Sequence, residues 1–361
     1  MKLITMSHNY QTGAVQKISD VVLGTSGIIK NAERYNGKNV LFCGVIYMAE
    51  DLYTMADDVR VFIPEITVKG GEVLRPRCPM IAYQGRSSII TMRDVKKARK
   101  LKPDIILSYI NTPLSIKGET DGVYNGTSAF ESIDKIAETN KRGIAVLIGD
   151  VNVNAWITVK TAQNHPEFTI ISMPSDGVYC PPHIDIDSKE FISTWEELAK
   201  AHGEKNVGLE MHPEVNSDLR SFGFEKNAYF GGTDGLVKEP LGSDKKVWLI
   251  GTVEGIIDRI KTLTNQKELH SPCIICPPMA YTTTSKVERA REILENGGPT
   301  ATIYYRHPEE PYYDVEIHRE ELITKRGDGG MRIPAVELAI DDEIKREREE
   351  GSLSITVGYS P

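Results

Sequence analysis

Short apolar runs of strand length alternate with amphipathic helical runs along most of the chain, and this alternation restricts the fold more than any other feature. Strand, helix and strand in succession build βαβ units, and therefore a parallel sheet covered by helices. LITMSHNY precedes VQKISDVV, NVLFCGVIYM precedes AEDLYTMA, and DIILSYIN precedes a loop and then FESIDKIAETNK. GIAVLIGDV, FTIISMP, NVGLEMHP, KNAYFGG and VWLIGTV fill later strand positions. STWEELAKAHG and VEGIIDRIKTLTNQ read as helices, the first closed by a Gly directly after its His.

The units repeat. One strand ends in SHNY, a second in YIN and a third in MHPE, each about one hundred residues after the last. A period of that length is a domain, not a solenoid turn. The expected fold class is α/β: three homologous three-layer domains with parallel sheets, in pseudo-threefold arrangement. The boundaries read as 1–95, 96–184 and 185–298, with 299–361 as a C-terminal insertion and terminal helix. Within that last part, 333–351 (IPAVELAIDDEIKREREEG) reads as a polar helix with a solvated charged face. The final SLSITVGYSP carries no assignment.

Composition removes several function classes. Forty-three Lys and Arg against 51 Asp and Glu give a net charge of −8, unfavourable for a nucleic-acid backbone or an anionic membrane, though not for a local pocket that takes a small anion. No apolar run approaches the ~20 residues of a membrane-spanning helix. MKLITMSHNY has too short an apolar stretch for a secretory signal, so a cytoplasmic protein is expected. Five cysteines, an odd number in a chain this long, make no disulfide framework and leave reduced thiols or metal ligands.

Cys78, Cys180 and Cys276 follow the period of the repeat. Domains related by a pseudo-threefold axis bring equivalent loops to that axis. Three thiolates there can hold a [4Fe–4S] cluster whose fourth iron, lacking a protein ligand, acts as a Lewis acid. Two other readings stay open at this point. The thiols can be unrelated small buried groups, as Cys43 inside LFCGV reads. Alternatively, the Cys273–Cys276 pair and the CPPH of Cys180 to His183 can serve zinc. Acid and base groups belong at the carboxyl ends of parallel strands, and His8 with Tyr10, Tyr109 with Asn111, and His212 with Glu214 occupy equivalent ends.

At these residues the chain resembles the quinolinate synthase (NadA) family. HNYQ at 8–11, FCGVIYMAE at 42–50, YIN followed by Lys117 and Asp121, GDVN at 149–152, CPPH at 180–183, MHPE at 211–214 and CPPM at 276–279 carry the likeness in order. It covers about 3–294 and, more loosely, 331–349. The resemblance implies three α/β domains around a central [4Fe–4S] cluster held by Cys78, Cys180 and Cys276. It also implies condensation of iminoaspartate with dihydroxyacetone phosphate to quinolinate, with loss of phosphate and two waters, for NAD biosynthesis. Tyr10, Tyr109, His212 and Glu214 would be catalytic. His8, Ser26, Asn111, Thr127, Ser128, His183 and Thr233 would bind substrate. The partners implied are a dicarboxylate imine, a phosphorylated triose and an upstream enzyme that produces iminoaspartate. Glu214 would act as a proton acceptor with a pKa raised by burial.

The departures concentrate on anion contacts. Asn125, Gly126, Thr127, Ser128 and Ala129 stand where the family has a TSxNA stretch, and Gly232, Thr233 and Asp234 follow where it has an ST pair. Val151 replaces the Lys of PDKN, and Val253 replaces the Glu after Thr252. Lost hydroxyl donors and an added carboxylate weaken the binding of phosphate or dicarboxylate. The leading expectation is therefore quinolinate synthesis. A paralogue running Lewis-acid dehydration or condensation on another substrate is the alternative, and a cluster or zinc sensor without turnover is a third reading. Retention of the His, Tyr and Glu set favours an enzyme.

Overall fold

The computed structural model describes residues 2–298 apart from 65–66, 70–71, 75–77, 82–89, 113, 127, 140–142 and 176, together with Thr300–Ile303 and Val336–Ala339. The chain forms two compact units. One is built on Met1–Cys78 and the stretch that begins at Cys276, the other on Pro79–Ile275.

The architecture is α/β with three parallel sheets, one in the first unit and two in the second. In the first unit Arg60–Ile63, Asn39–Cys43, Leu3–His8 and Val21–Leu23 lie side by side in that order. In the second unit Thr169–Met173, Ile144–Ile148, Ile105–Tyr109 and Gly122–Tyr124 make one sheet. Glu268–His270, Val247–Gly251, Val207–Met211 and Tyr229–Phe230 make the other. Each set therefore carries its strands in the spatial order fourth, third, first, second. The internal repeat read from the strand-end motifs is a repeat of topology.

That order creates a switch point between the first and third strands, where successive crossovers leave in opposite directions and a crevice opens beyond the carboxyl ends. The third strand of each set reaches the crevice with a glycine. A Cβ on Gly44 would meet Phe42 Cε1 at 2.6 Å and His8 Cβ at 3.5 Å. On Gly149 it would meet Tyr109 Cβ at 2.3 Å, and on Gly251 Met211 Cβ at 2.9 Å. The neighbouring first strands end at His8, Tyr109 and Met211, so the glycines let the candidate residues sit directly against the next strand.

Helices cover the sheets through apolar faces. Ser188–His202 is capped by the Asp187 carboxylate, which accepts the Lys189 and Glu190 amides, and it stops at Gly203 with φ +83°. It buries Phe191, Trp195 and Leu198 against Val207, Leu209, Met211, Val247 and Leu249. Beneath the first sheet, Val287 and Ala290 of Thr284–Glu295 pack on Leu41, Cys43 and Phe62. Cys43 is thus a core side chain, as its apolar strand implied, and burial pushes its thiol up to about 12. Among the described residues no helix is long and apolar enough to cross a membrane.

Three local expectations are corrected. VQKISDVV is not one helix: Gly13–Lys17 is helical, and Val21–Leu23 is a strand that pairs with Met6, Ser7 and His8. In NVLFCGVIYM the strand stops at Cys43 and a helix begins at Ile46. In 333–351, Val336–Ala339 is a strand, parallel to Arg60–Ile63 and antiparallel to Thr300–Ile303. Pairing with an open sheet edge outweighs the helical look of its flanking charges; the rest of that expected helix lies outside the described residues.

Gly149→Ala is expected to destabilise the protein by about 2 kcal/mol or more, the scale of overpacking in a filled core. Gly242→Ala has open space for its Cβ and is expected to be neutral or slightly stabilising. Urea unfolding of both variants checks the contrast.

Candidate active site

Each first strand ends in the same turn. The amide three residues on returns to the strand-end carbonyl: Gln11 N to His8 O at 3.0 Å, Thr112 N to Tyr109 O at 3.0 Å, and Val215 N to His212 O at 3.1 Å. This turn lifts the residue two places on, Tyr10, Asn111 or Glu214, over the end of its sheet. His8 and His212 share a further detail. His8 Nδ1 accepts the Tyr10 amide at 3.1 Å, and His212 Nδ1 accepts the Glu214 amide at 3.3 Å. With Nδ1 accepting, Nε2 is the nitrogen of each ring that faces the site.

In the first unit His8 is fully buried and its Nε2 lies 3.2 Å from Thr25 Oγ1, with the Tyr10 ring edge-on at 5.1 Å. Ser26 sits beside Thr25 in the first turn of Thr25–Lys30. Cys78 and Cys276 are both buried thiols of this unit.

The second unit gathers the other residues around Glu214. Its Oε1 accepts the Tyr109 hydroxyl at 2.9 Å and the Asn111 amide at 3.5 Å. Its Oε2 is 2.9 Å from His183 Nδ1 and 3.4 Å from His212 Nδ1. The rings of His183 and His212 stack at 4.6 Å. His183 Nε2 is 3.0 Å from Thr252 Oγ1, and its Nδ1 is 3.2 Å from Cys180 Sγ. Because His212 Nδ1 is an acceptor, His183 Nδ1 is the ring nitrogen that donates to Oε2, and Thr252 Oγ1 hydrogen-bonds its Nε2. Cys180, His183 and Glu214 place ligand atoms within 4.8 Å of one another, a group that can hold a metal.

Electrostatics reverse the expected shift of Glu214. Burial pushes its carboxyl up, but His212 together with the hydrogen bonds of His183 and Tyr109 outweighs burial and holds it down at about 2. Burial, opposed by Glu214, brings His212 down to about 3, so this ring stays neutral. Glu214 is thus a carboxylate whose pKa is lowered where burial alone would raise it. Beside it, burial and then the Glu214 charge push Asp150 upward against three backbone amide bonds.

The remaining expected residues lie at helix starts. Ser128 and Asn125 exchange bonds at 3.0 Å, Ser128 Oγ accepting the Asn125 amide and Asn125 Oδ1 the Ser128 amide. Thr233 opens Thr233–Gly242 after Gly232. Thr127 lies outside the described residues. Gly126 is buried, and a Cβ there would meet Trp156 Cζ3 at 3.2 Å and Pro213 Cγ at 3.4 Å. Gly232 has open space. Asp234 occupies the first turn of its helix, where the positive end of the helix dipole favours a carboxylate.

The thiols also repeat a local structure. Cys180 caps Pro181–Ile184 at φ −83°, ψ 108°, and Cys276 caps Pro277–Ala280 at φ −80°, ψ 109°. Proline at the first helical position fixes each short turn. Cys273 is exposed. Thr25 and Thr252 were not singled out as site residues from sequence, although each adjoins a quoted position; their only signal was a hydroxyl at the crevice end of a strand.

The family described as quinolinate synthetase A protein matches residues 1–304. Curated relatives named quinolinate synthase come from Methanothermobacter thermautotrophicus, 28% identical over 292 residues (80% of this chain and 84% of that protein), and Clostridium kluyveri, 26% over 280 residues (77% and 81%). That of Methanopyrus kandleri is 25% identical over 294 residues, 81% of this chain and 89% of its own.

Acid sensitivity of the metal-free protein follows from these groups. His212 sits at about 3 when folded against the ordinary 6.5, so below pH 6.5 the unfolded chain takes up a proton that the folded one refuses. Stability present above 6.5 is lost as pH falls toward 3. Glu214, about 2 against 4.5, adds a loss that begins below 4.5. His212→Asn is expected to flatten the fall between pH 6.5 and 4.5, read from urea midpoints across that range.

Proposed function

We propose, from the premise that this chain belongs to the quinolinate synthetase A family, that it condenses iminoaspartate with dihydroxyacetone phosphate to quinolinate, releasing phosphate and two waters. The observation that carries this reading is the contiguous Tyr109, Glu214, His183 and Cys180 group at a strand-end crevice.

The donor set fits an iron–sulfur cluster. Cys78, Cys180 and Cys276 each offer a thiol, and two of them are presented by the same Pro-Pro turn. These three would hold it. When bound, a [4Fe–4S] cluster with three thiolate ligands supplies a Lewis acid that makes a departing hydroxyl a better leaving group.

The protein's own groups position the substrates and move protons. Glu214, ionised throughout the neutral range, fixes the Tyr109 hydroxyl proton on Oε1 and the His183 proton on Oε2. A proton released during enolisation or imine tautomerisation is relayed through the Tyr109 hydroxyl to this carboxylate. Asn111 presents an amide for a substrate carboxylate. In the first unit His8 and Tyr10 offer an equivalent polar strand end, with Ser26 beside it. Ser128 and Thr233, at helix starts, suit anionic groups. A supply of unstable imine requires an upstream enzyme that oxidises an amino dicarboxylate.

A second reading keeps the same chemistry on another substrate. It is favoured by Gly126, which packs on Trp156 and Pro213 where the resemblance places a hydroxyl donor, and by Asp234 at a helix start suited to an anion.

Anaerobically reconstituted protein is expected to form quinolinate with KM in the micromolar-to-millimolar range; a fully loaded protein that makes none would favour the second reading. Glu214→Gln should retain iron and lose turnover by roughly 10²–10⁴-fold. Single Ala replacements of Cys78, Cys180 and Cys276 should each abolish stoichiometric iron and sulfide, whereas those of Cys43 and Cys273 should not.

A further inference from the structure

Asp150 precedes Val151–Asn164, and its side chain is wholly buried. Oδ1 accepts the amides of Asn152 at 2.7 Å and Val153 at 2.9 Å, which satisfies the helix start. The second oxygen does what capping does not require: Oδ2 accepts the Cys180 amide at 2.9 Å. A backbone bond from Val151 N to Val178 O, 2.8 Å, ties the same loop to the same helix start.

The other side of this helix start holds the turn that carries Glu214. Arg220 Nη1 donates to Asn152 Oδ1 at 3.1 Å and to Val215 O at 3.2 Å. Val215 closes the turn from His212. One helix start therefore braces two loops, one bearing Cys180 and the other bearing Glu214, whose side chains meet at His183 Nδ1.

We propose that Asp150 is a positioning residue, which holds the Cys180 thiol within reach of His183 and Glu214 through the Cys180 amide. Its importance for catalysis rests on the reading of Cys180 as a cluster ligand; the brace itself does not. Asparagine caps helices as well as aspartate does. In Asp150→Asn the amide oxygen can keep the Asn152 and Val153 bonds, while the NH2 group faces the Cys180 N–H, donor against donor. Asp150→Ser caps with a side chain too short to reach Cys180.

The test uses metal-free protein under argon, iodoacetamide, and peptide mass spectrometry to follow each thiol. Both variants are expected to alkylate Cys180 about tenfold faster than wild type, the factor for one lost hydrogen bond to a charged group. Rates at Cys276 and Cys273 and amide protection along 151–164 should be unchanged. An unchanged Cys180 rate overturns the proposal. So does a faster rate accompanied by loss of helix protection, which would leave Asp150 as a cap alone. In the wild-type chain the Cys180 amide should exchange with deuterium as slowly as the second turn of that helix; exchange at the rate of an open loop overturns the brace without any variant. Iron content of the wild type is read separately, so a protein that holds no cluster but shows the selective Cys180 effect overturns the cluster reading and leaves the brace standing.

Discussion

Everything at the site depends on how closely two parallel strands approach at their carboxyl ends. The first and third strands of each sheet run side by side to the switch point, where Gly149 and Gly251 remove a side chain that would clash with the neighbouring strand and Gly44 leaves only a close approach to His8. Tyr109 can then pack directly against Gly149, with the Tyr124 ring tilted toward it at 5.3 Å. Tyr124 is itself fixed by a hydrogen bond to Asn154, which donates to Ser172 at 2.8 Å and to the Leu147 carbonyl at 3.1 Å. The Tyr109 hydroxyl donates to Glu214 at 2.9 Å.

The charge pattern follows from that enclosure. A buried carboxylate is costly unless several donors converge on it. Tyr109, Asn111 and His183 supply them to Glu214, and the resulting carboxylate keeps the His183 proton on Nδ1. Dryness thereby becomes a source of order, since each proton has a single place to reside. Asp150, which follows the third strand of the other sheet in this unit, accepts three backbone amides, and the two acids divide the work of holding neighbouring loops.

The strand ends were legible because chemistry-bearing residues stand at the same place in every repeat: HNY, YIN and HPE announce three equivalent turns. Short strands were not. Val21–Leu23 and Arg60–Ile63 are three and four residues long, too brief to show a period, and Val336–Ala339 is a strand only because a neighbour offers it unpaired amides. The ionisation of Glu214 was equally hidden. Its hydroxyl donor lies 105 residues away, and the bond from Cys180 to Asp150 spans 30. Residue type suggested a pKa raised by burial, whereas the converging groups hold it down. At Gly126 the sequence suggested a missing hydroxyl, and packing adds that Trp156 occupies the room such a side chain would need.

The first sheet differs from the other two in having Val336–Ala339 and Thr300–Ile303 added beyond Arg60–Ile63. Val61, Phe62 and Ile63 are almost wholly buried. A chain cut after residue 298 would leave that strand as an apolar ribbon with its hydrogen-bonding groups open along one side, a template on which a second chain can add a strand. The C-terminal segment thus lends two strands to that sheet and pairs the side of Arg60–Ile63 that would otherwise stand open.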